Sequence, residues 1–376
     1  MKINLSQVPS PCYILEEELL ISNLELLLQV QKQAGVSIIC ALKGYALWAT
    51  FPLLKQYLAG ATASSLHEAR LVYEEMGVKA HTYCAAYVPA DFSQIQQYSS
   101  HLTFNSLTEW ERWKDKVQSG ISCGIRVNPG YSEVSTPLYD PCQPESRLGI
   151  ARHLLSDTLP EGIEGIHFHA LCENNSYTLE KVIESFCRLY DPLIRQAKWV
   201  NMGGGHFITK ENYNVGHLIS ILRAFKEKYP NLEEVVLEPG TSIGYKTGYL
   251  VSTVLDIVQN GTTPVAMLDV SFTCHMPDCL EMPYQPDILS AVENGTFTYS
   301  MGGLSCMAGD MMGTWSFDKP LKVGDKIVFD DMIHYTMVKT TTFNGINLPA
   351  IGIWSKEQQF NLLNTYGYDD YKNRLS

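Results

Sequence analysis

Cysteine pairs and positive charge are both scarce in this 376-residue sequence. The 10 cysteines (12, 40, 84, 123, 142, 172, 187, 274, 279 and 306) never take a CxxC spacing, and several fall inside apolar runs. That argues against a disulfide framework and for reduced thiols that mostly fill a core. Lys and Arg number 28 against 40 Asp and Glu, a formal net charge of −12. The average field therefore repels nucleic acid and anionic membranes and is compatible with a cationic small molecule. No apolar run approaches the roughly eighteen residues of a membrane helix, and Met1 to Pro11 has no basic stretch followed by an apolar block; a cytoplasmic protein is expected. Low-complexity segments and internal repeats are absent too. What remains is 45% hydrophobic and 18% charged, the composition of a globular protein. The length exceeds what one hydrophobic core serves, so two domains are expected.

From Val36 to Glu238, short apolar runs alternate with amphipathic stretches. The runs cover residues 37–42, 61–64, 82–85, 102–104, 123–127, 165–169, 199–202 and 235–238, with helical periods in Ser65 to Met76, Leu107 to Val117, Leu179 to Gln196 and Val215 to Tyr229. Eight strands alternating with helices predict an α/β fold, a (β/α)8 TIM-like barrel over residues 16–243. After Gly244 the text turns β-rich (249–258, 264–272, 297–300, 326–329 and 335–341), with turn signals at Asn260-Gly261, Asn294-Gly295 and Gly324-Asp325. We read residues 244–376 as an antiparallel β domain. The early strand at Cys12 to Leu15 has no place in the barrel count and joins it, giving a second domain of 1–15 and 244–376.

Chemistry concentrates at the ends of the barrel runs. Lys43 leaves the first run just before Gly44-Tyr45, and catalytic groups of a barrel sit at the C-terminal ends of its strands. Desolvation there lowers a lysine pKa and frees the amine to form a Schiff base. Gly203-Gly204-Gly205 follows the seventh run, where backbone N–H groups without a neighbouring Cβ can approach a phosphate. Glu238 ends the eighth run; a carboxylate beside a pyridine nitrogen keeps that nitrogen protonated. His167 and His169 share a strand face at the sixth run. A zinc set of His167, His169, His206 and Cys172 is conceivable in a barrel hydrolase, but it leaves Lys43 and the glycines without a role, so no metal is expected.

These motifs together, spread from Pro11-Cys12-Tyr13-Ile14 to Thr342-Phe343-Asn344-Gly345, resemble the pyridoxal-phosphate-dependent basic amino acid decarboxylases with an alanine-racemase-like barrel, in particular their carboxynorspermidine and carboxyspermidine branch. The resemblance implies pyridoxal 5'-phosphate bound covalently by Lys43, stacked on by His169, held at its phosphate by Gly203, Gly204, Gly205 and Tyr335, paired at its ring nitrogen with Glu238, and supported by Arg126. It further implies decarboxylation of a carboxylated polyamine, with Cys306 reprotonating the substrate carbon. Asp310 would anchor a substrate amine, and the stretch containing Asp269, His275 and Asp278 would recognise the polyamine. The segment Gly302 to Asp310 would enter the site of a partner subunit in a homodimer.

Two positions depart from the wider family. The histidine of the sixth run is followed by Ala170-Leu171-Cys172 instead of a Gly-Ser pair, and Glu238-Pro239-Gly240 continues with Thr241 instead of Arg. Both remove phosphate contacts and weaken a diaminopimelate or ornithine/arginine assignment. An alanine-racemase-like isomerase would share Lys43 and the barrel; product chirality and the fate of the carboxyl group separate the two.

Overall fold

Strand β1 (Cys12–Glu16) and a helix over Glu17–Ala34 precede eight further strands: β2 (Ser37–Ala41), β3 (Gly60–Ala63), β4 (Ala80–Tyr83), β5 (Ser99–Phe104), β6 (Ser122–Arg126), β7 (Gly165–His167), β8 (Trp199–Asn201) and β9 (Glu234–Leu237). The computed structural model describes residues 3–376. β2 to β9 pair in parallel order and β9 returns to β2, with Ser37 opposite Val236, so the ladder closes into a barrel. The expected helical stretches form helices over Leu66–Leu71, Leu107–Trp113, Ser176–Ile194 and Val215–Lys228.

The strand-to-helix turns show why the chain folds this way. Ser65 and Ser106 each accept the N–H three residues on, from Glu68 and Glu109, while those glutamates reach back to the N–H groups of Ser64 and Asn105. Each turn thus satisfies helix N–H groups that would otherwise be unpaired. Inside the barrel, the Trp199 ring lies over Gly124 and Gly165. A Cβ on Gly165 would fall 1.9 Å from the ring and one on Gly124 2.3 Å from it, so the tryptophan fits only because both strands lack side chains there.

The remaining strands are β10 (Gly248–Val258), β11 (Val265–Leu268), β12 (Phe297–Gly302), β13 (Met311–Phe317), β14 (Lys326–Asp330), β15 (Ala350–Trp354) and β16 (Phe360–Asn364). They form a sheet in the order β13-β12-β11-β10-β1-β15-β16, with β14 also paired to β10. β1 lies antiparallel to β10 and parallel to β15; β11 and β12 are the other parallel pair. The sheet is therefore mostly, not wholly, antiparallel. Its core includes Phe272, Trp315 and Phe329, whose rings meet edge to face.

Three sheet strands escaped the sequence reading. β13 and β15 carry Gly313 and Gly352, which break the run of β-formers, and β16 is largely exposed. A Cβ on Gly352 would fall 2.4 Å from the Phe360 ring of the neighbouring strand, so close approach, not turning, explains that glycine. Two expected strands are also corrected. The run at 264–272 ends as a strand at Leu268, and Ser271 then caps a one-turn helix over Phe272–His275. The segment 335–341 opens as a helical turn, Tyr335–Val338, because so short a run carries no decisive period. The chain divides into two compact units, one of residues 3–22 with Gly244–Ser376 and the other Asn23–Ile243.

Candidate active site

The C-terminal ends of the barrel strands are drawn together by backbone that tolerates no Cβ. Gly44, after β2, meets Gly240, after β9; a Cβ on Gly44 would lie 2.9 Å from the Gly240 Cα. This contact, with the Ala41 N–H donating to the Pro239 carbonyl at 3.1 Å, brings the Lys43 and Glu238 segments side by side. The triglycine does the same for β7 and β9. A Cβ on Gly203 would fall 2.4 Å from the Phe168 carbonyl oxygen, on Gly204 2.4 Å from that of Glu238, and on Gly205 2.1 Å from that of Leu171. Gly203 and Gly205 also hold φ of 68° and 81°, where a side chain is strained.

Lys43 Nζ sits 3.5 Å from His169 Nε2. The lysine is exposed yet stands among Arg126, Glu238, Cys172 and Glu68, and desolvation, then the nearby Arg126 charge, lowers its pKa. The Gly204 N–H donates to His169 Nδ1 at 2.9 Å, which fixes the neutral tautomer with its proton on Nε2, facing the lysine. Burial and the Lys43 charge hold His169 well below the ordinary histidine range.

Glu238 is buried. Its Oε1 accepts from the Asn201 amide at 2.6 Å, and Oε2 lies 3.7 Å from His167 Nε2. Burial raises the Glu238 pKa, opposed first by the Asn201 hydrogen bond. Asn201 Oδ1 in turn accepts the Gly203 N–H at 2.8 Å. Arg126 stands 4.8 Å from the Tyr83 ring centroid and donates to the His169 carbonyl at 3.4 Å, which ties β4, β6 and the β7 end together. Both ring nitrogens of buried His167 lack a hydrogen-bond partner among the described residues.

Asn201, Tyr83 and His167 therefore belong to this constellation, and the sequence reading gave the first two no role. Strand alternation held the signal: Asn201 is the inward residue at the end of β8, just before the triglycine. The N–H groups of Gly203 and Gly204 are engaged by Asn201 and His169, so these two glycines act first as close-packing and orienting residues.

The sheet-unit candidates divide sharply. Asp310 accepts three backbone N–H groups, from Phe272 (2.7 Å), Thr273 (3.1 Å) and Ser305 (2.8 Å). Asp269 accepts from the Ser10 hydroxyl (2.7 Å) and the Thr253 N–H (2.8 Å). His275 is fully buried, takes the Ser271 N–H on Nδ1 at 3.1 Å, and is pushed down to about 4 by burial. Asp269 and Asp310 are thus engaged inside their own unit, where each fixes loop backbone, and Nδ1 of His275 is engaged there as well, while its buried Nε2 has no hydrogen-bond partner among the described residues. Asp278 differs. Its Oδ2 accepts from Thr336 (2.9 Å) and Tyr284 (3.4 Å), but buried Oδ1 has no partner among the described residues. Cys306 is the exposed member of the 10 cysteines. Tyr335 opens the short helix Tyr335–Val338 and is half-buried.

The barrel end thus offers an amine of lowered pKa, a neutral imidazole beside it, a buried acid and a cradle closed to any Cβ. These are the features an aromatic aldehyde cofactor with a ring nitrogen needs, so the residues fit pyridoxal phosphate. The comparisons agree. The family model described as "Pyridoxal-dependent decarboxylase, C-terminal sheet domain" matches residues 67–333. A carboxyaminopropylagmatine decarboxylase of Synechocystis is 47% identical over 99% of this chain and 96% of its own length. A carboxynorspermidine/carboxyspermidine decarboxylase of Campylobacter jejuni is 41% identical over 98% and 99%. The crystal structure of carboxynorspermidine decarboxylase from Campylobacter jejuni, complexed with norspermidine, superposes with a TM-score of 0.91 at 40% identity, covering 98% of this chain and 100% of that one.

Fold and site together define a barrel enzyme of the carboxy-lyase class that uses pyridoxal phosphate. The chain belongs to the pyridoxal-dependent decarboxylase family. Among the described residues no helix is long and apolar enough to cross a membrane.

Proposed function

We propose that this enzyme decarboxylates carboxynorspermidine or carboxyspermidine in polyamine biosynthesis, as a cytoplasmic homodimer. The observation that carries the reading is the near-full-length likeness to relatives named for that reaction. Asp278 supports it: a buried carboxylate oxygen without a donor suits an ammonium group of the substrate, since leaving it unpaired is costly.

When bound, pyridoxal phosphate supplies an electron sink for the pair released with carbon dioxide. Lys43 Nζ, with a larger neutral fraction than an ordinary lysine, would hold the cofactor aldehyde and is the amine a substrate α-amine would have to replace. Glu238, braced by Asn201, would keep a proton on the ring nitrogen. His169, its tautomer set by Gly204, would support the ring. Arg126 supports His169, while Gly203, Gly204 and Gly205 leave the approach to the phosphate clear, with Tyr335 as a further phosphate contact. Cys306 Sγ, offered from the sheet unit of a partner subunit, donates a proton to the carbon that has lost its carboxylate; its exposure is what that role requires.

A second reading has its own support. The relative at 47% identity is named for carboxyaminopropylagmatine, whose distal group is a guanidinium. A guanidinium prefers a carboxylate with both oxygens open, and Asp278 has Oδ2 occupied by Thr336, which favours an amine there. Carbon dioxide release from carboxynorspermidine, carboxyspermidine, carboxyaminopropylagmatine, diaminopimelate and ornithine decides the matter. The highest kcat/KM should fall on one of the first two. A highest value on carboxyaminopropylagmatine moves the substrate assignment, and one on diaminopimelate or ornithine removes the polyamine reading.

A further inference from the structure

A second polar cluster occupies the opposite, N-terminal end of the barrel, where conserving stability rather than catalysis is the rule for this architecture. His81 of β4 and His101 of β5 are register partners, and Glu234 opens β9. Alternation turns all three inward: His81 shares a strand face with Tyr83, whose ring meets His167, and Glu234 shares one with Glu238. The two imidazoles stack with centroids 3.8 Å apart and planes 28° apart. One donor atom from each of His81, His101 and Glu234 lies within 4.8 Å of the others.

The Ser100 hydroxyl lies within hydrogen-bond reach of both the Ala80 carbonyl (3.3 Å) and His101 Nδ1 (3.0 Å), which anchors the ring at Nδ1 and leaves Nε2 for another partner. With the hydroxyl proton on the carbonyl, Ser100 accepts the ring N–H, the arrangement in which an outer hydrogen bond orients a ligating imidazole. The Trp199 ring closes one side of the cluster, edge-on to His101 at 5.4 Å, and its Nε1 is engaged by Ser122.

We propose that His81, His101 and Glu234 bind one divalent transition-metal ion of the zinc type, fastening β4 and β5 to β9 across the N-terminal end of the barrel. Two imidazoles and one carboxylate suit zinc and its neighbours, whereas magnesium and calcium favour all-oxygen sets. Tetrahedral ligands at zinc distances lie roughly 3.4 Å apart, so side-chain rotation has to draw the widest pair in by up to about 1.4 Å. Water completes the fourth position. The ion is structural and stands apart from the lysine site at the other end of the strands.

The test uses the full-length holoenzyme, dialysed against chelator and then exposed to zinc. One zinc per chain should survive desalting, and the unfolding midpoint should rise by about 5 °C at saturating zinc. Affinity should fall at least tenfold in His101→Ala and Glu234→Gln and persist in His169→Ala, which excludes binding at the lysine site. Should the variants fold poorly, two measurements on the unaltered enzyme decide: cobalt should give a visible d–d band that zinc bleaches, and zinc should protect His81 and His101 from diethyl pyrocarbonate, mapped by mass spectrometry. No retained zinc, retention unchanged in folded His101→Ala and Glu234→Gln, or no cobalt band with both histidines unprotected would each overturn the proposal.

Discussion

The barrel and the sheet unit handle buried polar groups in opposite ways. In the barrel, Lys43, His167 and Glu238 converge with bonding capacity left over: a lowered lysine pKa, two orphan ring nitrogens, a raised carboxyl pKa. In the sheet unit, the carboxylates of Asp269 and Asp310 are engaged by hydroxyls and backbone N–H groups of that unit. A native interior pairs its polar groups, so an unpaired one marks a place where a ligand completes the set. Asp278, with buried Oδ1 unpartnered among the described residues, shares the unmet capacity of the barrel groups, whereas Asp310 holds three backbone N–H groups.

The largest expected effect removes the group with most unmet chemistry. Lys43→Ala should lower carbon dioxide release by roughly three orders of magnitude or more and abolish the visible absorbance of the bound cofactor, while the urea midpoint stays level or rises because a partly desolvated amine is gone. Retention of both the absorbance and the turnover would remove the lysine from the mechanism. Next comes backbone approach. Gly204→Ala places a methyl 2.4 Å from the Glu238 carbonyl oxygen and should cost about 1–3 kcal/mol in urea unfolding, together with loss of retained cofactor.

The two aspartates test the comparison directly. Asp310→Asn forfeits an anionic acceptor of three N–H groups and should destabilise by about 2 kcal/mol with little change in KM once folded. Asp278→Asn should do the reverse, raising KM about tenfold or more with a small stability change. A KM increase in the Asp310 variant alone would undo the distinction.

The smallest effect concerns pH. His206 in the barrel and His275 in the sheet unit are both pushed from 6.5 to about 4 by burial. Above pH 6.5 each is neutral folded or unfolded. As pH falls from 6.5 to about 4 the unfolded chain takes up protons that the folded chain refuses, so stability declines over that window and levels off below it. The slope has an upper bound of about 1.4 kcal/mol per pH unit for each histidine. His206→Gln should remove the barrel's share, read as a flatter dependence of the urea midpoint on pH.

The contrast also explains what could be read in advance. Lys43, Gly203 to Gly205 and Glu238 stand at strand ends, a position visible in a one-dimensional pattern. Asn201 was overlooked because its partners are a glutamate 37 residues later and the nearby Gly203 N–H, and no local rule joins them. Asp310 reads as a substrate contact from its motif, and the motif alone does not show the backbone of Phe272, 38 residues earlier, closing over it. Among the strands, β13 and β15 were hidden by glycines whose packing reason lies on neighbouring segments.

The amino-acid order alone determined the alternation of apolar runs and amphipathic helices, and with it a parallel barrel whose catalytic groups gather at one end, because strand and helix periods are local properties of the chain. Tertiary structure decided which polar residues are free to act. Whether a buried carboxylate or imidazole is satisfied depends on atoms brought near it by folding. For that reason the Gly44–Gly240 contact, the bracing of Glu238 by Asn201, the fastening of Asp310 and the meeting of His81, His101 and Glu234 exist only once the strands have closed and the loops have packed.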